Sequence, residues 1–263
     1  MKLQLDALTT NFELHGPEGA PWLVLSHSLA CSSAMWGPQI EALKGDYRIL
    51  AYDTRGHGGS EAPPVPYTLE LLADDLHALL GALGVERAHF CGLSMGGMIG
   101  QTYALKYPGR LRSLTLADTT SRYPAEAAAV WAQRIEVALT QGMGPLAEPT
   151  LQRWFTPAFH ARCPEVVGAV RQLILATPVA GYVGCSQAIP KIDLTARLHE
   201  IDCPVLVICG ADDPGTPLSM SEEIHAHTPG SRLVVLPEAA HLANLEQPEA
   251  FTAALREFLH LRP

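Results

Sequence analysis

Positive charge is the first scarcity in this 263-residue chain: 18 Lys and Arg stand against 27 Asp and Glu, a formal net charge of −9. No cluster of Lys and Arg offsets that balance. A nucleic-acid-binding surface would lack its electrostatic basis, and a solvated acidic exterior is expected instead. Long apolar runs are also missing; none approaches the roughly 18 residues that mark a membrane span. The opening MKLQLDALTTNFELHG has no basic start leading into an apolar stretch. No secretory signal is therefore expected, and the cytoplasm is the expected compartment. The six cysteines, Cys31, Cys91, Cys163, Cys185, Cys203 and Cys209, form no CxxC pair. That excludes the usual zinc and disulfide frameworks, and no metal or organic cofactor is expected. Charge is sparse at 17% while hydrophobic residues reach 48%, which fits a compact folded chain rather than a disordered one.

What is present is an alternation. Leu3 to Glu13 alternates loosely around Thr9-Thr10-Asn11 and suits an antiparallel hairpin at a sheet edge. Short apolar runs follow at Trp22–Ser26, Tyr47–Tyr52, Ala88–Gly92 and Leu111–Leu116, each with a polar residue (His27, Asp53, Ser94, Asp118) within two positions of its end. Between them, Leu69–Leu83 and Met98–Tyr107 carry apolar residues at helical spacing, and Pro108-Gly109 stops the second. Continuous apolar strands separated by helices imply a mostly parallel sheet covered on both faces. From Thr120 to about Asp193 the pattern changes to alanine-rich stretches cut by seven prolines, with no good strand. This reads as short helices inserted as a lid, giving a core of residues 1–119 and 194–263 and a cap of 120–193. The alternation resumes at Cys203–Cys209 and Arg232–Leu236 and closes with a helix from about Pro248 to Leu261.

In open parallel sheets the loops leaving the carboxyl ends of strands build the site. After Ala88–Cys91 comes Gly92-Leu93-Ser94-Met95-Gly96, a G-x-S-x-G between a strand and a helix. That context makes Ser94 the expected nucleophile on a sharp turn, with glycines where neighbouring side chains would clash. A plain glycine-rich turn with an incidental serine does not call for this flanking order. A serine hydroxyl needs a base. His241 follows the last strand and is preferred; His225 and His227 fall in a surface helix, and His77, His199 and His260 lie on helices away from strand ends. His89, inside a strand, reads as a buried satisfied histidine. Asp213, in Gly210-Ala211-Asp212-Asp213-Pro214, is the preferred acid, with Asp118 as the strand-end rival and Asp212 behind both.

An oxyanion hole requires two converging N–H donors, and Met95 and Leu29 are the expected pair. His27 then organises the loop that carries Leu29. Asp53-Thr54-Arg55-Gly56-His57-Gly58-Gly59-Ser60 lacks phosphate-loop spacing and reads as a structural turn whose Asp53, Arg55 and His57 bond neighbouring loops.

These segments resemble the α/β-hydrolases throughout, and among them the chain is most similar to 3-oxoadipate enol-lactonases of aromatic-compound degradation. LSHSLACSSAMW (25–36), YDTRGHGGSEAP (52–63) and AHFCGLSMGGMIGQ (88–101) carry the likeness, which continues into VWAQRIE (130–136), RWFTPAF (153–159) and GYVGCSQAI (181–189). Ala117-Asp118-Thr119-Thr120 departs from the Asn-Thr-Ala-Ala type of sequence that the family leads one to expect there.

The resemblance implies an α/β-hydrolase fold with an inserted helical lid. It also implies a Ser-His-Asp mechanism on a small enol-lactone bearing a carboxylate, so the expected partner is a small lactone or ester. Such a substrate wants a cation and apolar walls. Arg134, Arg153, Arg171 and Lys191 are the candidate cations and Trp131, Trp154 and Phe155 the candidate walls, with Arg134 and Trp154 preferred. A broad carboxylesterase or perhydrolase is the rival enzyme, and a ligand receptor on a hydrolase scaffold the rival from another class.

Overall fold

The computed structural model describes residues 1–5, 8–64 and 66–260. Its frame is an eight-stranded sheet in the order β1-β2-β4-β3-β5-β6-β7-β8. The strands are β1 (Lys2–Leu5), β2 (Leu8–His15), β3 (Trp22–Ser26), β4 (Arg48–Tyr52), β5 (Ala88–Leu93), β6 (Leu111–Ala117), β7 (Val205–Gly210) and β8 (Arg232–Leu236). β1 and β2 pair antiparallel at the edge, β2 pairs antiparallel with β4, and every later pair is parallel. The edge hairpin is as expected, but Thr9, Thr10 and Asn11 lie within β2 rather than at its turn. β-Branched threonines fit a pleated strand, and the Asn11 amide bonds Ser60 Oγ at 2.8 Å. The residues joining the two strands, Asp6 and Ala7, lie outside the described residues.

All six residues of β5 and all six of β7 are buried, so helices cover both faces there. The helices before the insertion are α1 (Gly37–Leu43), α2 (Leu69–Ala82) and α3 (Met95–Lys106). The insertion holds α4 (Ala127–Gln141), α5 (Gly144–Trp154), α6 (Pro157–Arg162), α7 (Pro164–Ala176) and α8 (Val179–Ala188). After it come α9 (Leu218–His227), α10 (Ala243–Glu246) and α11 (Pro248–His260). The expected last residue of the final helix, Leu261, lies outside the described residues. α1 packs with α10 and α11, and α2 packs with α3, as two separate groups. No single helix among the described residues is long and apolar enough to cross a membrane.

The chain reverses direction across the sheet between β3 and β5. β4 lies on one side of β3 and β5 on the other, in parallel register with Ser26 opposite Gly92. Such a switch point opens a crevice at the carboxyl ends of the two strands. The helical segment returns to the sheet close to where it left. Arg122 bridges Asp193, Leu194 N–H donates to the Ser121 carbonyl at 2.8 Å, and the Ser121 and Thr195 hydroxyls lie 2.7 Å apart.

Candidate active site

Ser94 occupies the junction of β5 and α3 with φ 56° and ψ −115°, a conformation that costs any residue with a Cβ. α3 begins at Met95, three residues before the expected Met98, because Gly96 and Gly97 are helical rather than loop. A Cβ on Gly96 would meet the Ser26 carbonyl oxygen at 2.1 Å, and one on Gly92 would meet the Gly96 oxygen at 2.2 Å. Glycine at both positions lets the helix start press against the end of β3. The turn is tied from behind: Ser94 N–H donates to the Ala117 carbonyl at 2.8 Å, and the Thr119 hydroxyl donates to the Ser94 carbonyl at 2.7 Å.

His241, on the loop between β8 and α10, is buried, and its Nδ1 lies 2.7 Å from Asp213 Oδ2. Asp213 is buried on the loop after β7. Its Oδ1 accepts the Gly215 and Thr216 amides at 2.7 and 3.2 Å, and its Oδ2 accepts the Thr216 hydroxyl at 2.6 Å. Burial pushes this carboxyl up, but His241 beside it, together with the Thr216 and Gly215 donors, outweighs that and holds it below the usual range. Asp212 is exposed. Asp118, the strand-end rival, is fully buried at φ 42°; its Oδ1 accepts the Gly210 amide at 2.7 Å, and the carboxyl faces the Ala243 amide as well. Burial, then the nearby Asp213 charge, raises its carboxyl well above the ordinary range.

Ser94 and His241 open onto one cavity of about 210 Å³, lined also by Leu29, Trp131, Arg134, Arg153 and Trp154. Met95 is wholly buried at the start of α3, directly after Ser94. Leu29 lies between two tethered neighbours: Ser28 N–H points at Met35 Sδ at 3.4 Å, and Ala30 N–H donates to His57 Nε2 at 3.0 Å.

The expected loop roles of the Asp53 turn are present. Asp53 takes the Ser33 and Gly59 amides and the Asn11 side chain, each at 2.8 Å. Arg55 reaches further than a loop, forming a two-pronged pair with Asp75 on α2 at 2.6 Å. His89 is buried and satisfied by Ser113 Oγ at 2.8 Å. Among the described residues, no group of three or more His, Cys, Asp or Glu side chains could hold a metal ion.

The helical segment divides its cations. Arg134 and Arg153 reach the cavity; Arg171 instead pairs with Glu148 at 2.6 Å on the exposed surface, and Lys191 lies in another depression beside Thr68 and Asp193. Arg134 lies 5.1 Å from the Trp131 ring centroid. Arg153 is half-buried, and burial together with Arg134 lowers its pKa from the usual value. Among the described residues, no carboxylate lines this cavity. Trp131 and Trp154 form walls, whereas Phe155 stacks on Phe159 with centroids 5.1 Å apart, away from that cavity. The Trp154 ring lies over His241 at 5.9 Å, tilted 28°.

Two residues not singled out from the sequence join the site. Thr216 fixes both oxygens of Asp213; a hydroxyl three residues after an aspartate was an available local signal. Glu246 is buried and had no such signal. One of its oxygens accepts the Thr156 amide and hydroxyl at 2.8 Å each, and the other accepts the Ala240 amide. With Leu242 N–H donating to the Trp154 carbonyl at 3.1 Å, it ties the α5–α6 joint to the loop that carries His241.

The strained serine of the G-x-S-x-G turn, the buried Asp213–His241 pair and the shared cavity thus lie together at the strand ends. The family model for the α/β hydrolase fold matches residues 21–248. The chain belongs to that family and is a hydrolase. It is 38% identical to 3-oxoadipate enol-lactonase 2 of Acinetobacter baylyi, over 93% of this chain and 91% of that one. The crystal structure of the enol-lactonase from Burkholderia xenovorans is 37% identical and superposes with a TM-score of 0.95, covering 99% of this chain and 100% of that one. The putative carbamate hydrolase RutD of Agrobacterium fabrum is 33% identical over 95% of this chain and 97% of its own.

Proposed function

We propose that the chain opens a small carboxylate-bearing enol-lactone, 3-oxoadipate enol-lactone, through a Ser94–His241–Asp213 triad beneath a lid formed by residues 120–193. The observation that carries this reading is the pairing within one cavity of Ser94 and His241 with two arginines that, among the described residues, no lining carboxylate neutralises. The similarity to enol-lactonases supports the same substrate.

In this reading Ser94 Oγ attacks the lactone carbonyl while His241 Nε2 takes its proton. Asp213, kept ionised by its donors, stabilises the imidazolium through Nδ1. The Leu29 and Met95 amides receive the oxyanion. Collapse of the tetrahedral intermediate expels the enol oxygen, which takes the proton from His241; the free enol then tautomerises to the ketone. Water, deprotonated by His241, attacks the acyl-Ser94 ester and releases the acid. Arg134 and Arg153 hold the carboxylate that does not react, and Trp131 and Trp154 flank the ring.

The test is the ultraviolet decay of freshly generated 3-oxoadipate enol-lactone. Wild-type protein is expected to turn it over, and Ser94→Ala to lose at least about 10⁴-fold in kcat. Retained turnover in Ser94→Ala would sink the mechanism. Faster turnover of a small carbamate, or of p-nitrophenyl acetate, would move the substrate to the second reading, a carbamate or general ester hydrolase, which the RutD similarity favours.

A further inference from the structure

Beneath the Leu29 loop lie two fully buried histidines that the proposed reaction does not use. β3 and β4 are parallel neighbours, so the loops that leave them run side by side. Each sends a histidine into the other. His27, on the β3 loop, accepts the Thr54 N–H at Nε2 (2.9 Å). His57, on the β4 loop, accepts the Ala30 N–H at Nε2 (3.0 Å). The two rings stand 5.3 Å apart, and both side chains are wholly inaccessible to solvent.

This reciprocal arrangement specifies the tautomers. A backbone N–H can only donate, so each Nε2 must present a lone pair, and the ring proton of a neutral imidazole then resides on Nδ1. Each Nδ1 faces a carbonyl that can receive it: Ser28 at 2.7 Å for His27 and Arg55 at 3.2 Å for His57. A second proton on Nε2 of His57 would point at the Ala30 N–H and abolish the bond. Burial and the neighbouring His27 agree, holding His57 down to about 3, with Asp53 the facing carboxylate that opposes them.

Ala30 is the residue that most needs such a tether. Its φ is 57°, the left-handed region that favours glycine. The peptide between Leu29 and Ala30 is therefore held in a disfavoured orientation by a side chain from the adjacent loop. Leu29, immediately before it, lines the cavity together with Ser94.

We propose that His57 is a positioning residue for the oxyanion site: as a neutral ring protonated at Nδ1, it holds Ala30, and through it aims the Leu29 amide at the carbonyl that Ser94 attacks. This rests on the reading of Leu29 as an oxyanion donor. The role differs from general packing because it affects the transition state and leaves ground-state binding alone.

The experiment uses the whole protein with p-nitrophenyl acetate as substrate and a trifluoromethyl ketone as tetrahedral mimic. His57→Leu removes the acceptor; it is expected to lower kcat about 100-fold with KM within about twofold, the size of losing one oxyanion donor. Affinity for the ketone should fall by the same factor. His57→Gln, whose side-chain oxygen can accept the Ala30 N–H, should recover most of both. Unchanged kcat in His57→Leu, or a loss that appears in KM alone, overturns the proposal. Should His57→Leu fail to fold, 15N spectra of histidine-labelled wild type at pH 7, assigned by the signal missing from His57→Gln, carry the test. A bare Nε2 with a protonated Nδ1 is expected, and a protonated Nε2 overturns the proposal. An inactive Ser94→Ala beside a fully active His57→Leu would overturn this proposal alone, whereas an active Ser94→Ala would remove the catalytic reading beneath it.

Discussion

Four residues other than glycine hold a positive φ among those described: Ala30, Ser94, Asp118 and Glu238. All four sit in loops that leave the carboxyl ends of strands, after β3, β5, β6 and β8. Helices α4 to α8 contain none. The strand-end loops concentrate strain and buried polar bonds, and the packed sheet below supports them. The helical segment is ordinary helix whose contribution to the cavity is side chains, two arginines and two tryptophans among them. Under the proposed function, chemistry and selectivity fall to separate parts of this molecule. The first depends on backbone held where it would not otherwise go; the second depends on which side chains hang into the space above it.

The sharpest way to break the comparison is at the Asp213–His241 pair. Asp213→Asn keeps the size of the side chain but presents an amide to His241 Nδ1, favouring the wrong tautomer. kcat on any ester is expected to fall on the order of 10⁴-fold with KM nearly unchanged. A loss below tenfold would remove Asp213 from the proposed triad.

A smaller and selective effect is expected from the helical segment. Arg134→Ala and Arg153→Ala should each raise KM about tenfold or more for a carboxylate-bearing lactone, the range for losing a hydrogen bond to a charged group. Turnover of p-nitrophenyl acetate, which has no carboxylate, should barely change. If both substrates lose equally, the segment supports chemistry as well as selectivity, and the division fails.

The smallest effect concerns stability. Asp118 has a raised pKa in the folded state, from burial and from Asp213. A group of that sign favours folding below its unfolded pKa, and the contribution is lost as pH rises through the folded value. Asp118→Asn retains an oxygen for the Gly210 amide and removes the charge. Its melting temperature should therefore exceed that of wild type by a few degrees at pH 8, and the gain should vanish below about pH 4. A gain equal at both pH values would show that charge is not the cause.

Much of the strand-end site was legible in the sequence because its signals are local. Gly92, Ser94 and Gly96 announce a sharp turn through spacing alone, and the apolar runs before Ser26, Gly92 and Gly210 announce strands. The start of α3 was read late because glycines weaken a helical pattern; the need for them comes from the Ser26 carbonyl, which is distant in sequence. Selection among cations was not legible either. Arg134, Arg153 and Arg171 all lie on helices, and only the packing of α4, α5 and α7 decides that the first two face the cavity while Arg171 meets Glu148. Glu246 was invisible because nothing local marks a carboxylate for burial beside the Thr156 and Ala240 amides.

By itself, then, the sequence determined the alternation of buried strands and helices, the serine at the turn, and the order in which Asp213 and His241 follow it. These are properties of neighbours along the chain, set by periodicity and by residues that only certain backbones accept. Tertiary structure alone decided that Asp213 rather than Asp212 or Asp118 meets His241, that two of the four candidate cations share the Ser94 cavity, and that His27 and His57 exchange places between two loops. Each of these depends on distances between residues tens to more than a hundred positions apart, and only the closed sheet and its packed cover bring them together.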